Sequence, residues 1–204
     1  MRRLVAVALL AALTAACSST GSDDASQPGC SGVGTSTSAN GAYNTEERGL
    51  LILAAQAVPS ATLLPCVVAY PPGWTFAGWF AHNGSFGFWL DSDRAGIHAV
   101  EVELTETCDT GVAIEVAPSA DEAGTQRFEQ PLSLPPNYAV DRFYTFDGGC
   151  VVYRYRFGST EDPALAIEAD QALAFRPRAE LVTDLDAIGL HLCGAGSPPC
   201  AGAE

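Results

Sequence analysis

Lysine is absent from the chain, so all ten basic residues are arginine, and they are opposed by 24 acidic residues. The formal net charge at pH 7 is −14. Nucleic acids and anionic lipid headgroups are also negatively charged, so a surface of this kind repels them. The composition therefore argues against a nucleic-acid partner. It suits cations or basic partners, or it serves solubility alone through self-repulsion.

Recognised catalytic and metal-binding motifs are also absent. The sequence contains no GxSxG, SxxK or HExxH motif, no P-loop and no dinucleotide-binding fingerprint. It has no CxxC pair, and His82, His98 and His191 do not have the spacing of metal ligands. We therefore expect no metal site and no cofactor. An enzyme is the less favoured class, with an uncharacterised cell-envelope hydrolase as the alternative function.

Apolar runs long enough to span a membrane are missing too. Near the amino terminus, Leu4 to Leu13 form an uninterrupted apolar run of ten residues. A membrane-spanning helix needs about 20 residues, so this run is too short. Arg2 and Arg3 precede it, and charged residues before a short apolar run are typical of an export signal. The pattern predicts a signal peptide over residues 1–16.

The next residues resemble the lipobox of bacterial lipoproteins, in the segment Leu13-Thr14-Ala15-Ala16-Cys17. The resemblance implies that Cys17 receives a diacylglyceryl group and becomes the first residue after cleavage. Fatty acyl chains such as palmitate would then hold the protein on the extracytoplasmic face of the cell membrane. The segment departs from the family pattern at Thr14, where leucine is commonest. Ordinary signal cleavage after Ala16 is the alternative.

The remaining chain divides by composition into three parts. After Cys17, residues up to 44 are mainly small and polar, which predicts a flexible tether. Residues 45–192 carry the apolar periodicity of one ordinary domain. Residues 193–204 form a tail rich in Gly, Ala and Pro that contains cysteine.

A central hairpin is the clearest element of the predicted domain. The β-rich runs Val140–Phe146 and Cys150–Phe157 flank Asp147-Gly148-Gly149, which supplies turn residues. Strand periodicity then places Tyr153 and Tyr155 on one face and the arginines between and after them on the other.

Helical patterns stand at both ends of the domain. They cover Thr45–Val58, Asp162–Phe175 and Arg178–Leu190. Strands in the middle with helices at both ends predict the α+β class. We expect an antiparallel sheet with a central hairpin, covered by N-terminal and C-terminal helices and stapled by disulfides.

The chain has seven cysteines, and six remain once the cysteine of the lipobox is set aside. An even number in an exported protein predicts disulfides, up to three, with the pairing left open. The candidates are Cys30, Cys66, Cys108, Cys150, Cys193 and Cys200.

Charged clusters give two candidate ligand sites, each with a structural alternative. Asp91 and Asp93, followed by Arg94, could bind a divalent cation, or they could accept backbone N–H groups in a turn. Arg154 and Arg156 could hold an acidic ligand group, or they could pair with carboxylates on a neighbouring strand.

Two further groups of residues have both a chemical and a structural interpretation, and the structural one is favoured. Glu101 and Glu103 alternate along a predicted strand and should share a solvated face, with His98 partly buried on the opposite face. The tryptophans at positions 74, 79 and 89 are candidates for an aromatic binding patch, but core packing is favoured.

Two longer stretches, FWLDSDRAG at Phe88–Gly96 and DGGCVVYR at Asp147–Arg154, resemble an uncharacterised exported domain of actinobacterial membrane-associated proteins. The resemblance implies the compartment and no activity. We expect a lipid-anchored extracytoplasmic domain that binds an envelope protein or a small ligand, or that has a structural role in the envelope.

Overall fold

The computed structural model describes residues 52–158, 164–187 and 189–196. The predicted signal peptide, the lipobox, the tether, Cys30 and Cys200 lie outside these residues. The described strands and helices are β1 (Leu63–Val67), β2 (Trp74–His82), β3 (Ser85–Ser92), β4 (Gly96–Thr105), β5 (Ile114–Val116), β6 (Gln126–Ser133), β7 (Ala139–Phe146), β8 (Gly149–Arg156), α1 (Ala164–Ala172), β9 (Leu173–Pro177) and α2 (Arg178–Asp186).

Most of the described chain forms one antiparallel sheet of seven strands in the order β2-β3-β4-β8-β7-β6-β5. Each neighbouring pair is antiparallel, so two meanders meet where β4 pairs with β8. β1 and β9 form a separate antiparallel pair. The domain is therefore mainly antiparallel sheet with few helices, which agrees with the α+β class.

The predicted central hairpin is confirmed as β7 and β8, with Phe146 opposite Gly149. Gly148 in its turn has a φ of 74°, and a Cβ added there would stand 2.0 Å from the carbonyl oxygen of Ser60. A side chain at this position would therefore be both strained and excluded. Tyr155 is fully buried whereas Arg156 is exposed, so the predicted faces of β8 are correct.

The larger apolar cluster lies on one side of the sheet, which we call the inner face and which Phe88, Val102 and Tyr155 define. All three are fully buried. A smaller cluster of Phe143, Cys150 and Val152 lies on the other side. Leu165 of α1 and Leu185 of α2 belong to the larger cluster, so both helices pack into this core. Burying one such side chain contributes about 1.5–3 kcal/mol to folding.

The helix predicted over Asp162–Phe175 is wrong at its carboxyl end, because it stops at Ala172. Leu173–Pro177 is a strand instead, paired with β1. The ring of Phe175 packs against those of Tyr144 and Tyr153, at centroid distances of 5.1 and 5.9 Å. Pairing and aromatic packing outweigh the helical propensity of this short segment.

The other two helix predictions also differ from the structure at their carboxyl ends. The predicted helix Arg178–Leu190 ends at Asp186. At the amino end, residues 52–54 are helical and Ala55–Ala57 form a 3-10 turn, whereas residues 45–51 lie outside the described chain.

A disulfide joins Cys108, in the loop after β4, to Cys150 at the start of β8, with 5.7 Å between the Cα atoms. Cys66 and Cys193 are disulfide-bonded as well. The staple of the sheet expected from the sequence is therefore present.

Candidate functional site

Arg154 and Arg156 lie on the side of the sheet opposite the core, which we call the outer face, and both form cross-strand ion pairs. The Nη1 of Arg154 lies 2.5 Å from Glu101 and 2.7 Å from Glu103 on β4. Arg156 contacts Asp141 of β7 at 2.6 Å. Burial alone would lower the pKa of Arg154, but the two glutamates outweigh burial and raise it. The structural alternative, pairing with neighbouring carboxylates, is what the structure shows.

The Asp91–Arg94 segment is likewise a turn. An oxygen of Asp91 accepts the backbone N–H of His98 at 2.6 Å. Arg94 reaches helix α1, where its guanidinium lies 2.5 Å from Glu168. No three His, Cys, Asp or Glu side chains within the described residues are grouped to hold a metal.

His98 lies on the outer face, so its expected partial burial on the apolar face is wrong. It is exposed and stacks on Trp89, with ring centroids 5.0 Å apart. The register between β3 and β4 shifts after Leu90, and His98 has a φ of 49°, in the left-handed region. The bulge reverses the alternation of side chains at the start of β4.

The three tryptophans do not form one patch. Trp74 is 3% exposed and belongs to the core, whereas Trp79 is 50% exposed at the sheet edge. Trp89 is on the outer face, where its ring lies 4.8 Å from that of Phe80 and its Nε1 donates to Glu101. Core packing is therefore correct for Trp74 alone.

The sequence did not reveal a buried ionic network centred on Arg142 of β7, on the inner face. Arg142 is 8% exposed, and its Nε lies 2.8 Å from Glu129 of β6. Its Nη1 contacts Asp170 of α1, which also accepts the hydroxyl of Tyr155. The guanidinium lies 4.8 Å from the centre of the Tyr155 ring. Arg142 therefore joins helix α1 to the sheet.

The network continues to the sheet edge through Arg127. This residue contacts Glu129, and its Nη1 lies 3.3 Å from Glu122. Burial raises the pKa of Glu122, but the backbone N–H of Ser119, the hydroxyl of Tyr144 and the guanidinium of Arg127 outweigh it and lower that pKa. Acidic and basic side chains thus alternate along the network and neutralise one another. This arrangement stabilises the packing of the sheet edge and helix α1.

Arg178 is the most deeply buried cation of the described chain, at 1% exposure. It donates to the carbonyl oxygens of Ala55, Val58, Ala61 and Cys193 at 2.8–3.1 Å. Burial lowers the pKa of its guanidinium. These bonds hold the two ends of the described domain together.

Taken together, every arginine of the described residues has its guanidinium engaged by groups of the same chain. Arg178 bonds carbonyl oxygens, and the others are ion-paired: Arg94, Arg127, Arg142, Arg154, Arg156 and Arg176. Several exposed carboxylates, by contrast, make no ion pair with described residues: Glu106, Asp109, Glu115 and Asp147. The described surface therefore offers unpaired negative charge, whereas its exposed arginines, Arg94 and Arg156, are already ion-paired.

Helices of the described residues are all too short or too polar to cross a membrane. No family model matches the chain, and neither a curated protein nor a solved structure matches it.

Proposed function

We propose that the protein is a lipid-anchored extracytoplasmic domain that binds a basic partner of the cell envelope. In this proposal, Cys17 carries the lipid, the residues after it form the tether, and the domain acts by binding. Helical segments at both ends of the domain cover the inner face, so we place the contact on the outer face away from the buried Phe143–Cys150–Val152 cluster, or at a sheet edge. The lipobox and the resemblance to exported actinobacterial domains support the compartment.

The choice of a basic partner rests on the described arginines, whose guanidinium groups are bonded within the chain. An anionic ligand needs an accessible arginine, since the chain has no lysine. The guanidinium groups of the arginines that the structure describes are instead held by carboxylates and carbonyls of the same chain. A basic partner meets the opposite situation, because unpaired carboxylates are exposed and long-range attraction speeds its association.

The hydrolase alternative has less support. The half-buried carboxylate Asp170 is engaged by Arg142 and Tyr155, and Glu129 is engaged by two arginines. A general acid or base needs a carboxylate with an altered pKa and access to substrate. These groups act instead as partners of one another.

Zero-length cross-linking on intact cells tests the proposal. A carbodiimide joins a carboxylate to a lysine amine, and this chain has no lysine. A carboxylate–lysine bond formed by the full-length protein is therefore always a bond to another protein. We expect such bonds from Asp or Glu residues of the domain to a lysine-rich segment of one dominant partner.

The control is an exported lipoprotein of similar abundance and acidity. Bonds spread over many proteins, to the same extent as in that control, would contradict a specific basic partner. An absence of bonds would contradict it as well.

A further inference from the structure

The first strand of the large sheet, β2, has an open edge. It stands at the end of the strand order and, among the described strands, pairs only with β3. Alternate backbone N–H and C=O groups of an edge strand point away from its neighbour and are available to another strand.

β2 lacks most of the protection that natural edge strands carry. None of its nine residues is charged or proline, and Trp79 near its middle is 50% exposed. Its one irregularity is a bulge at Ala77, where the register passes from Phe76 to Gly78. The opposite edge, β5, has only three residues and carries Glu115. The two edges of the sheet therefore differ in how well they are protected against the addition of another strand, and β2 is the less protected.

Negative charge lies at the start of this edge. Asp91 is directly opposite Thr75 on the neighbouring strand. Asp93 donates its backbone N–H to Gly73 at 2.9 Å, and its side chain is 68% exposed. Its carboxylate lies 3.6 Å from Arg94, but Arg94 also pairs with Glu168, so the cluster keeps a net negative charge. An extended segment added to β2 would place one of its ends near the carboxylate of Asp93, which lies against Gly73 just before β2, and two strand spacings from Asp91.

We propose that β2 is the docking strand for an extended segment of the basic partner, which adds to the sheet as an eighth strand. Backbone hydrogen bonds hold the segment, an apolar side chain covers Trp79, and a lysine or arginine at one end meets the carboxylate of Asp93. This inference rests on the proposed function. A second copy of the chain is a poorer occupant, because it brings the same negative charge to the interface.

The test uses the full-length protein in detergent and a displayed library of random twelve-residue peptides as the probe. Selected peptides should be poor in proline and carry a basic residue near one end. They are then synthesised singly, and their affinity is measured by fluorescence anisotropy.

Two matched pairs of variants locate the contact. Trp79→Lys should weaken binding at least tenfold, whereas Ile114→Lys, the same charge change at the other edge, should not. Asp93→Asn should weaken binding at least threefold, and Glu106→Gln should not. Thermal melts of the variants verify that they fold. If Trp79→Lys does not fold, Ala81→Lys on the same strand replaces it.

Each contrary result identifies what has failed. Basic peptides that bind Trp79→Lys as tightly as the native chain would overturn the docking strand and leave the proposed function standing. Selected peptides without basic residues, or no selected peptides, would overturn both. A concentration-dependent dimer that Trp79→Lys abolishes would assign β2 to a second copy instead.

Discussion

Two neighbouring tyrosines of β8 share a face and a degree of burial but differ in hydrogen bonding. Tyr155 donates its hydroxyl to Asp170, whereas the buried hydroxyl of Tyr153 has no hydrogen-bond partner among the described residues. A buried hydroxyl without a partner opposes folding by about 1–3 kcal/mol, and a hydrogen bond to a charged group contributes about 1.5–3 kcal/mol. The two hydroxyls should therefore act on stability in opposite directions.

Tyr155→Phe should lower the free energy of unfolding by about 2 kcal/mol, whereas Tyr153→Phe should leave it unchanged or raise it by up to about 1 kcal/mol. Urea denaturation at pH 7 measures both variants against the native chain. A loss in Tyr153→Phe as large as that in Tyr155→Phe would show that both hydroxyls are bonded in the folded protein.

The same tyrosines predict the behaviour of the protein in alkali. Burial raises the pKa of Tyr153 and Tyr155 well above their ordinary value, and Asp170 raises that of Tyr155 further. Because the folded pKa exceeds the unfolded one, the contribution to stability is complete below about pH 10 and is lost as the pH rises toward the folded pKa.

Stability should therefore fall steeply above about pH 10, and each Tyr→Phe change at these two positions should reduce the slope by about 1.4 kcal/mol per pH unit. Urea denaturation between pH 7 and pH 11 gives the slopes. An alkaline slope that neither substitution changes would mean that other groups control it.

At the scale of elements, the disulfide connects two parts of the sheet that are far apart in sequence. Cys108 and Cys150 are separated by 42 positions, and the enclosed chain contains β5, β6 and β7. In the chain-entropy model, closing a loop of this length lowers the entropy of the unfolded chain and so raises its free energy by about 4 kcal/mol. The disulfide should therefore contribute more to the free energy of unfolding than any single surface ion pair.

Replacing both cysteines by alanine should lower the free energy of unfolding by about 4 kcal/mol. The measurement is the denaturation midpoint of the double variant and of Arg156→Ala, an exposed change expected to stay within about 0.5 kcal/mol. Equal midpoints for the double variant and the native chain would contradict a stabilising role for this disulfide.

Elements specified by nearby residues could be predicted from the sequence. The β7–β8 hairpin follows from alternation on both sides of Asp147-Gly148-Gly149, and its pairing is as expected. β9 was missed, because Leu173–Pro177 directly continues a helix and acquires its strand structure only by pairing with the distant β1. Distant pairing leaves little trace in local periodicity.

The ionic network was missed for a similar reason. Arg142 and Asp170 are 28 residues apart, on different elements, and nothing in the spacing relates them. Arg178 left still less signal, because its partners are backbone carbonyls that any residue supplies. The pairing of Arg154 was foreseen as an alternative, since its strand partners alternate visibly as Glu101 and Glu103.

At the scale of the whole molecule, charge and anchoring belong to one proposal. The chain carries a net charge of −14, the arginines of its described residues are engaged internally, and a negative membrane surface would repel it. Such a domain needs a covalent lipid to remain at a membrane. A diacylglyceryl group supplies two acyl chains, and two chains are sufficient for stable anchoring.

The most direct measurement is the mass of the amino-terminal peptide of the protein extracted from membranes. We expect a peptide that begins at Cys17 and carries the mass of a diacylglyceryl group, and we expect Cys17→Ala to lose this mass and to leave the membrane fraction. An unmodified peptide beginning at Cys17, or a Cys17→Ala variant that stays in the membrane fraction, would contradict the proposed lipid anchor.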